Sequence, residues 1–291
     1  MYPAEFDYYR ARSLSDAQAL LAAHPGAKLL AGGHSLIPLL KLRLAAPSAV
    51  IDIGRVTELR GISVNDGQVR IGALTTHAEL AASADLRRSA AALAEAAAIV
   101  GDPAVRNRGT IGGNIAHADP ASDLPTVLVA LGARIVAVGR QGERTIDAAS
   151  FFTGIMTTAL DEHEILAAII VPAAVAGEGS AYVKFSHPAS RYAVLGAAAS
   201  VRLKDGICTA ASVAVGGLLP SARRARAVEA ALTGVAPTDA QVAAAAAKVD
   251  ADLGDEVTGD IFASAAYRRA MAPVYVKRTL LAAAARAGLS A

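Results

Sequence analysis

Two stretches carry residues whose types and spacing fit chemistry on a bulky anion: Ala31-Gly32-Gly33-His34-Ser35 and Gly109-Thr110-Ile111-Gly112-Gly113-Asn114. Paired glycines reach positive φ and let another group approach the main chain closely. Successive N–H groups at such turns form a concavity for phosphate. Thr110 and Asn114 add side-chain hydrogen-bonding groups. Two such stretches in one chain suggest one ligand gripped from two sides, and a dinucleotide with its central pyrophosphate fits. Paired glycines also mark ordinary turns. Neither stretch is G-x-G-x-x-G, and no G-x-x-x-x-G-K-[ST] occurs. Spacing alone therefore leaves open a scaffold in which both are plain turns.

The remaining reactive side chains point away from self-contained catalysis. His77, His117, His163 and His187 show no H-E-x-x-H spacing and read as structural. At His34 the backbone matters more than the ring. Cys208 is the only cysteine, so disulfides and cysteine-held iron–sulfur clusters are excluded, and the thiol reads as a small buried hydrophobe. No Ser–His–Asp set or carboxylate dyad stands out, and no metal site is expected.

Local patterns supply the elements that would position the two stretches. Ser13 caps a helix with Leu14, Ala17, Leu20 and Leu21 at helical spacing, stopped by Pro25-Gly26. A strand at Lys28–Ala31 runs into the first stretch. A short apolar helix or turn over Leu36–Leu44 and a strand at Ala49–Ile53 complete a small lobe. Asp66-Gly67 joins strands Ile62–Val64 and Gln68–Ile71 in a hairpin. Thr76-His77-Ala78-Glu79 is a capping box. An Ala-rich helix over Ala90–Val100 ends at Gly101-Asp102-Pro103, and the second glycine stretch follows as a loop. A helix over Leu124–Leu131, capped by Ser122 or Asp123, precedes strands Ala133–Val138, Arg144–Ile146 and Glu164–Val171. Past a boundary between Val171-Pro172 and Gly179, strands Ala181–His187, Ala193–Leu203 and Ile207–Val215 are followed by helices Ala222–Leu232, Asp239–Val249 and Ser264 to about Arg286. Pro273 is expected to kink or start the last.

The chain has 291 residues, 54% hydrophobic and 19% charged, which suits a folded chain of about two domains and argues against disorder. Aromatic residues are 4%, with no Trp, and the 28 basic residues are dispersed for a net charge of +2. That excludes a nucleic-acid stripe or base-stacking platform. Arg223, Arg224 and Arg226 form the densest basic cluster and read as a solvated face or partner contact. No apolar run reaches the roughly 18 residues of a membrane helix. The start of the chain carries acids and no apolar run, so a soluble, cytoplasmic protein without a signal peptide is expected.

With these residues in view, Ala31-Gly32-Gly33-His34-Ser35-Leu36-Ile37-Pro38 resembles the first flavin loop of the FAD-binding medium subunits of molybdenum hydroxylases, the carbon monoxide dehydrogenase and xanthine dehydrogenase type. Val100 through Asn114 resembles the second loop, and Asp119-Pro120-Ala121-Ser122-Asp123-Leu124-Pro125 extends the match. The order of elements fits nearly the whole chain. The resemblance implies an α+β protein with a vanillyl-alcohol-oxidase-type (PCMH-like) FAD-binding domain. Its two subdomains span 1–56 and 57–176, with a C-terminal α+β domain of carbon monoxide dehydrogenase flavoprotein type over 177–291. It implies that Ala31, Gly32, Gly33, His34 and Ser35, with Thr110, Ile111, Gly112, Gly113 and Asn114, hold the pyrophosphate and ribityl through backbone amides. Asp123 would accept hydroxyl hydrogen bonds from the cofactor. Val100 and Leu166 would lie near the flavin ring, Lys184 would stabilise a reduced anionic flavin, and Tyr192 would contact the ring.

The function implied is electron transfer with no catalytic residue of the chain's own. A large molybdenum-cofactor subunit would oxidise substrate, a small subunit would carry two-iron clusters, and FAD here would pass electrons to NAD or a quinone, in a dimer of heterotrimers. The cofactor carries the chemistry while the protein binds, orients and tunes it. The alternative is a stand-alone FAD-dependent oxidoreductase of the same fold. The single cysteine disfavours the hydroxybenzoyl-CoA reductase type, which carries an extra cluster in this subunit.

Overall fold

A computed structural model describes residues 2–288. The first lobe runs β1 (Asp7–Arg10), α1 (Leu14–Ala23), β2 (Lys28–Leu30), α2 (Leu36–Lys41) and β3 (Ala49–Asp52). Its sheet has the order β1-β3-β2, with both outer strands parallel to the central one. Ser13 caps α1 by accepting the Asp16 N–H at 3.0 Å. Local pattern does not announce β1: Asp-Tyr-Tyr-Arg is mostly exposed and pairs with β3 some forty residues away.

The second lobe starts with the hairpin β4 (Ile62–Asn65) and β5 (Gln68–Gly72). Asp66 and Gly67 both take positive φ, 49° and 70°, as the hairpin turn requires. Six helices follow: α3 (His77–Ala82), α4 (Ala84–Ser89), α5 (Ala91–Ala98), α6 (Pro103–Arg106), α7 (Ile111–His117) and α8 (Asp123–Ala130). The capping box at Thr76–Glu79 is formed. Then come β6 (Arg134–Gly139), β7 (Gly142–Asp147), α9 (Ala148–Phe151), β8 (Phe152–Gly154), β9 (Thr157–Thr158) and β10 (Ile165–Pro172). The sheet order is β4-β5-β10-β6-β7, so β10 returns to sit between the two hairpins. The second glycine stretch is not a loop throughout. Ile111 to Asn114 is the start of α7, capped by Thr110, because its N–H groups find carbonyls on the segment after β5.

The C-terminal part is a sheet of order β11-β12-β13-β14, formed by Glu178–Ser186, Ala193–Lys204, Ile207–Gly216 and Arg223–Arg224. It is followed by α10 (Arg226–Leu232), α11 (Asp239–Ala246), α12 (Asp250–Leu253) and α13 (Ala265–Arg286). Alternate residues of a strand face opposite sides. On β12, Ala197, Ala199 and Val201 join Ala272, Val276 and Leu280 of α13 in one core. Ala198, with Tyr182 and Ala214, joins Leu93, Leu124 and Leu128 of the second lobe in another. The sheet is thus covered on both faces, which ties the C-terminal part to the second lobe.

Three expectations change here. The arginine cluster is not a solvated face as a whole. Arg223 pairs with Glu256, and Arg224 binds Glu229 at 2.6 Å, while only Arg226 stays mainly exposed. Arg223 and Arg224 form an edge strand on β13, so the helix starts at Arg226 rather than Ala222. Pro273 does not start the last helix; it lies inside α13, eight residues after Ala265.

Arg268 on α13 locks the end of the sheet. Its buried guanidinium donates to the carbonyls of Val194 (3.1 Å), Gly217 (2.7 Å) and Ala263 (3.2 Å) and pairs with Asp260. Arg268→Ala leaves these buried carbonyls unpaired. It is expected to destabilise the protein by about 2–4 kcal/mol in urea unfolding, without changing the secondary-structure content of the folded state.

Candidate functional site

The first glycine stretch follows β2 at once, and the second enters α7. The tertiary structure presses them together. A Cβ on Gly32 would overlap the Arg108 carbonyl and lie 2.9 Å from Gly109 Cα, so only glycine fits at this loop-to-loop contact. Gly33, at φ +80°, then turns the chain into α2. On the other side, Gly112 packs against Ala73, to whose carbonyl it donates at 2.8 Å, and Ile111 donates to Thr75 at 3.0 Å. These bonds fasten α7 to the end of β5.

Between the lobes lies a cavity of about 620 Å³, within the roughly 300–1,000 Å³ usual for small-ligand clefts. Ala31, Gly32, Gly33, His34 and Ser35 line it, as do Thr110, Gly112, Gly113 and Asn114. Val100, Asp123, Leu166 and Tyr192 complete the set of expected residues that reach it. Two do not. Ile111 is fully buried in the second-lobe core, because the residue that opens α7 turns its side chain away from the cavity. Lys184 sits behind Asp123, with its side chain only 3% exposed.

The two stretches offer different donors. Among the described residues, the main-chain N–H groups of Gly32, Gly33, His34 and Ser35 have no hydrogen-bond partner. They form a run of free donors at a positive-φ turn, which suits an anion. In the second stretch the donors of α7 from Ile111 to Asn114 are already used: Ile111 and Gly112 as above, Asn114 by the Thr110 carbonyl, and Gly113 by the Thr110 hydroxyl at 3.2 Å. Its contribution is instead the Thr110 hydroxyl proton, the Asn114 amide and the bare Cα of Gly113. The Asn114 oxygen accepts from Ser122 at 2.7 Å, leaving its NH₂ free to donate.

The far wall is built by strand alternation. Tyr182 and Lys184, two apart on β11, leave the same face and meet one carboxylate. Tyr182 Oη donates to Asp123 Oδ1 at 2.6 Å, and Lys184 Nζ bonds Oδ2 at 3.0 Å. Gly196, opposite Lys184 in the register, has no Cβ to obstruct the Tyr182 ring. Burial pushes the Asp123 pKa up, and Lys184 and Tyr182 work against that. Burial, then Asp123, raises the Tyr182 pKa well above its ordinary value. A carboxylate on the cavity wall is thus kept paired, with lone pairs left to accept from a ligand hydroxyl.

Sequence reading treated several other wall residues as structural or passed over them. His77, buried at the start of α3, packs its ring on Gly109. Burial, with His34 and Arg106 adding, lowers its pKa to about 4. Ser190 and Arg191 come from the β11–β12 connection, and Met156 from the β8–β9 turn. Arg191 and Met156 both hold positive φ, 62° and 52°. No local motif marks them, because they reach the cavity only through sheet topology.

Comparison with known proteins accords with this architecture. Residues 4–174 match the family described as FAD binding domain in molybdopterin dehydrogenase, and 180–283 match the CO dehydrogenase flavoprotein C-terminal domain. The chain is a member of the FAD-binding medium subunits of molybdenum hydroxylases. It is 41% identical to the carbon monoxide dehydrogenase medium chain of Hydrogenophaga pseudoflava over 98% of this chain and 99% of that one. The solved carbon monoxide dehydrogenase of that organism superposes with a TM-score of 0.94 at 44% identity, covering 98% of this chain and 99% of its counterpart. Quinoline 2-oxidoreductase from Pseudomonas putida 86 gives 0.93 at 32% identity, covering 100% of each chain. The free N–H run at Gly32–Ser35 and the Cβ-free Gly113 fit the diphosphate of the family's FAD. Among the described residues no cluster of potential metal ligands forms, and no helix is long and apolar enough to cross a membrane.

His77 gives this medium subunit a pH signature. Its ring stays neutral in the fold down to about pH 4, whereas the unfolded chain takes up the proton near pH 6.5. The stability it allows is complete above 6.5 and falls as pH drops towards 4. Between pH 7 and 5 the loss from this group is about 2 kcal/mol. In His77→Gln the unfolding free energy should change that much less over the same interval, as read by urea titration at the two pH values.

Gly113→Asp puts a carboxylate where the diphosphate is expected and should abolish FAD retention while circular dichroism stays native. Gly113→Ala adds the same Cβ, whose close neighbour is the rotatable Thr110 hydroxyl at 2.9 Å. It should weaken FAD retention without abolishing it, so that the difference between the two variants separates charge from bulk.

Proposed function

We propose that this chain is the electron-transfer subunit of a three-chain molybdenum hydroxylase. A small partner with two-iron clusters supplies electrons, and they leave to NAD or a quinone. A large partner holds the molybdenum cofactor, and two such trimers pair in the cytoplasm. When bound, FAD takes up and releases the electrons. Residues 1–56 and 57–176 form the two halves of its site, and 177–291 closes the far end.

The observation that supports this reading is a cofactor-sized cavity lined by the free N–H run of Gly32–Ser35, in a chain that matches an FAD-binding family over residues 4–174. The free N–H groups of Gly32–Ser35 hold the diphosphate. Thr110 and Asn114 donate beside it, and Asp123 accepts from a cofactor hydroxyl. Val100, Leu166 and Tyr192 exclude water around the ring. Relatives named for carbon monoxide and for quinoline share this fold over their full length, which supports assigning substrate choice to the large partner.

The test is an absorption spectrum and a turnover assay on the chain alone and on the complex co-expressed with its partner subunits. Flavin bands at about one FAD per chain, and substrate oxidation only in the complex, are expected. Rapid substrate oxidation by the isolated chain would instead establish a stand-alone oxidoreductase. A complex that turns over with no flavin in this chain would remove the electron-transfer role.

A further inference from the structure

One ammonium group joins three separate parts of the cavity surroundings. Lys184 Nζ donates to the Ile99 carbonyl at the end of α5 (3.0 Å), to Asp123 on the cavity wall (3.0 Å) and to the Arg191 carbonyl (2.7 Å). Its three N–H donors are thereby used, and no part of it lines the cavity. The third partner lies in the turn 187–192, the connection that brings Ser190, Arg191 and Tyr192 to the cavity.

That turn is shaped from within. His187 N–H donates to the Tyr192 carbonyl at 2.8 Å, Arg191 N–H to the His187 carbonyl at 2.9 Å, and the His187 ring accepts the N–H groups of Ala189 and Ser190 at 3.2 Å. Its hold on the second lobe is narrower. At its base Ala193 N–H reaches the Ala121 carbonyl at 3.0 Å, and the Arg191 guanidinium touches the Gly101 carbonyl at only 3.5 Å. Lys184, whose own side chain is nearly buried, supplies a short charged bond to the turn itself, at a residue whose left-handed backbone is strained for a side chain larger than glycine.

We propose that Lys184 is a positioning residue: it pins the Arg191 carbonyl to the Ile99–Asp123 wall and so holds the 187–192 turn closed over the cofactor cavity. This rests on reading the cavity as the FAD site. It differs from a direct electrostatic role at the flavin, because the ammonium is fully engaged by protein groups. Its charge balances Asp123, and its direction sets the turn.

The test uses the full chain with Lys184→Met, which removes the ammonium at nearly constant length, and with Lys184→Met combined with Asp123→Asn, which also removes the unpaired carboxylate. The double variant guards against simple misfolding. In cofactor-free protein, trypsin reports on the pin itself, since the carbonyl held by Lys184 belongs to the bond that trypsin cuts after Arg191. Cleavage at that bond, followed by mass spectrometry, should rise about tenfold in both variants, in line with losing a charged hydrogen bond. Unchanged cleavage in the double variant overturns the pin.

In FAD-loaded protein, release followed by flavin fluorescence should be about tenfold faster in Lys184→Met than in wild type, and about tenfold faster in the double variant than in Asp123→Asn alone, since Asp123 itself is assigned a cofactor hydroxyl. If the double variant cuts faster but releases FAD at the rate of Asp123→Asn alone, Lys184 only neutralises Asp123 and its part in closing the cavity is overturned. A wild-type chain that takes up no FAD even when assembled with its partner subunits would sink the cofactor reading, while the trypsin result would still decide whether Lys184 holds the turn.

Discussion

The backbone of Gly32 lies against the carbonyl of Arg108 and the Cα of Gly109 so closely that no side chain fits between them. This contact joins a turn of the first lobe to the entrance of α7 in the second. The lobes have their own sheets, one parallel and one antiparallel, and the cavity exists because they meet at this point without filling the space beside it. One side of the contact leaves four N–H groups free. The other side is closed by α7, whose donors are tied to Ala73, Thr75 and Thr110. The division of labour follows: one wall offers main-chain donors and the other offers side chains.

The C-terminal sheet completes the enclosure by being buried twice. Small residues on both faces of β12 let α13 pack on one side and the second lobe on the other. Arg286 near the end of α13 reinforces the junction by binding Glu95 of α5 at 2.9 Å and the Ser180 carbonyl at 2.6 Å. Docked this way, β11 delivers Tyr182 and Lys184 to Asp123, and the β11–β12 turn comes to rest at the cavity. A charged pair this deep is stable only because each partner has further hydrogen bonds, since burial without them costs several kcal/mol per ion.

Much of this was legible locally. Ser13, Thr76 and the Asp66-Gly67 turn act through bonds within four residues, so their elements can be read from pattern. The long β12–β13 hairpin announces itself by length and by Lys204-Asp205-Gly206. β1 was not legible, because an exposed four-residue strand is defined by a partner far along the chain. The helical character of Ile111–Asn114 was hidden as well. Two glycines disfavour a helix by about 1 kcal/mol each, and the bonds to Ala73 and Thr75 that offset this come from another element. Lys184 looked like a cation free to act on a ligand, and Arg223 and Arg224 like solvated charges, until β11 and β14 were in place.

The sequence by itself determined the family, the two glycine stretches and the absence of cysteine-based clusters, because motifs and composition need no partner to be read. It also determined most helix caps and hairpins, whose hydrogen bonds close within one turn. Only the tertiary structure decided which glycines carry free N–H groups at the cavity and which pack against other segments, why Ile111 faces the core, and that Lys184 binds protein on all three of its N–H donors. Those outcomes depend on distances between segments as far as eighty-five residues apart, such as Lys184 to Ile99, and side-chain type alone does not encode such distances.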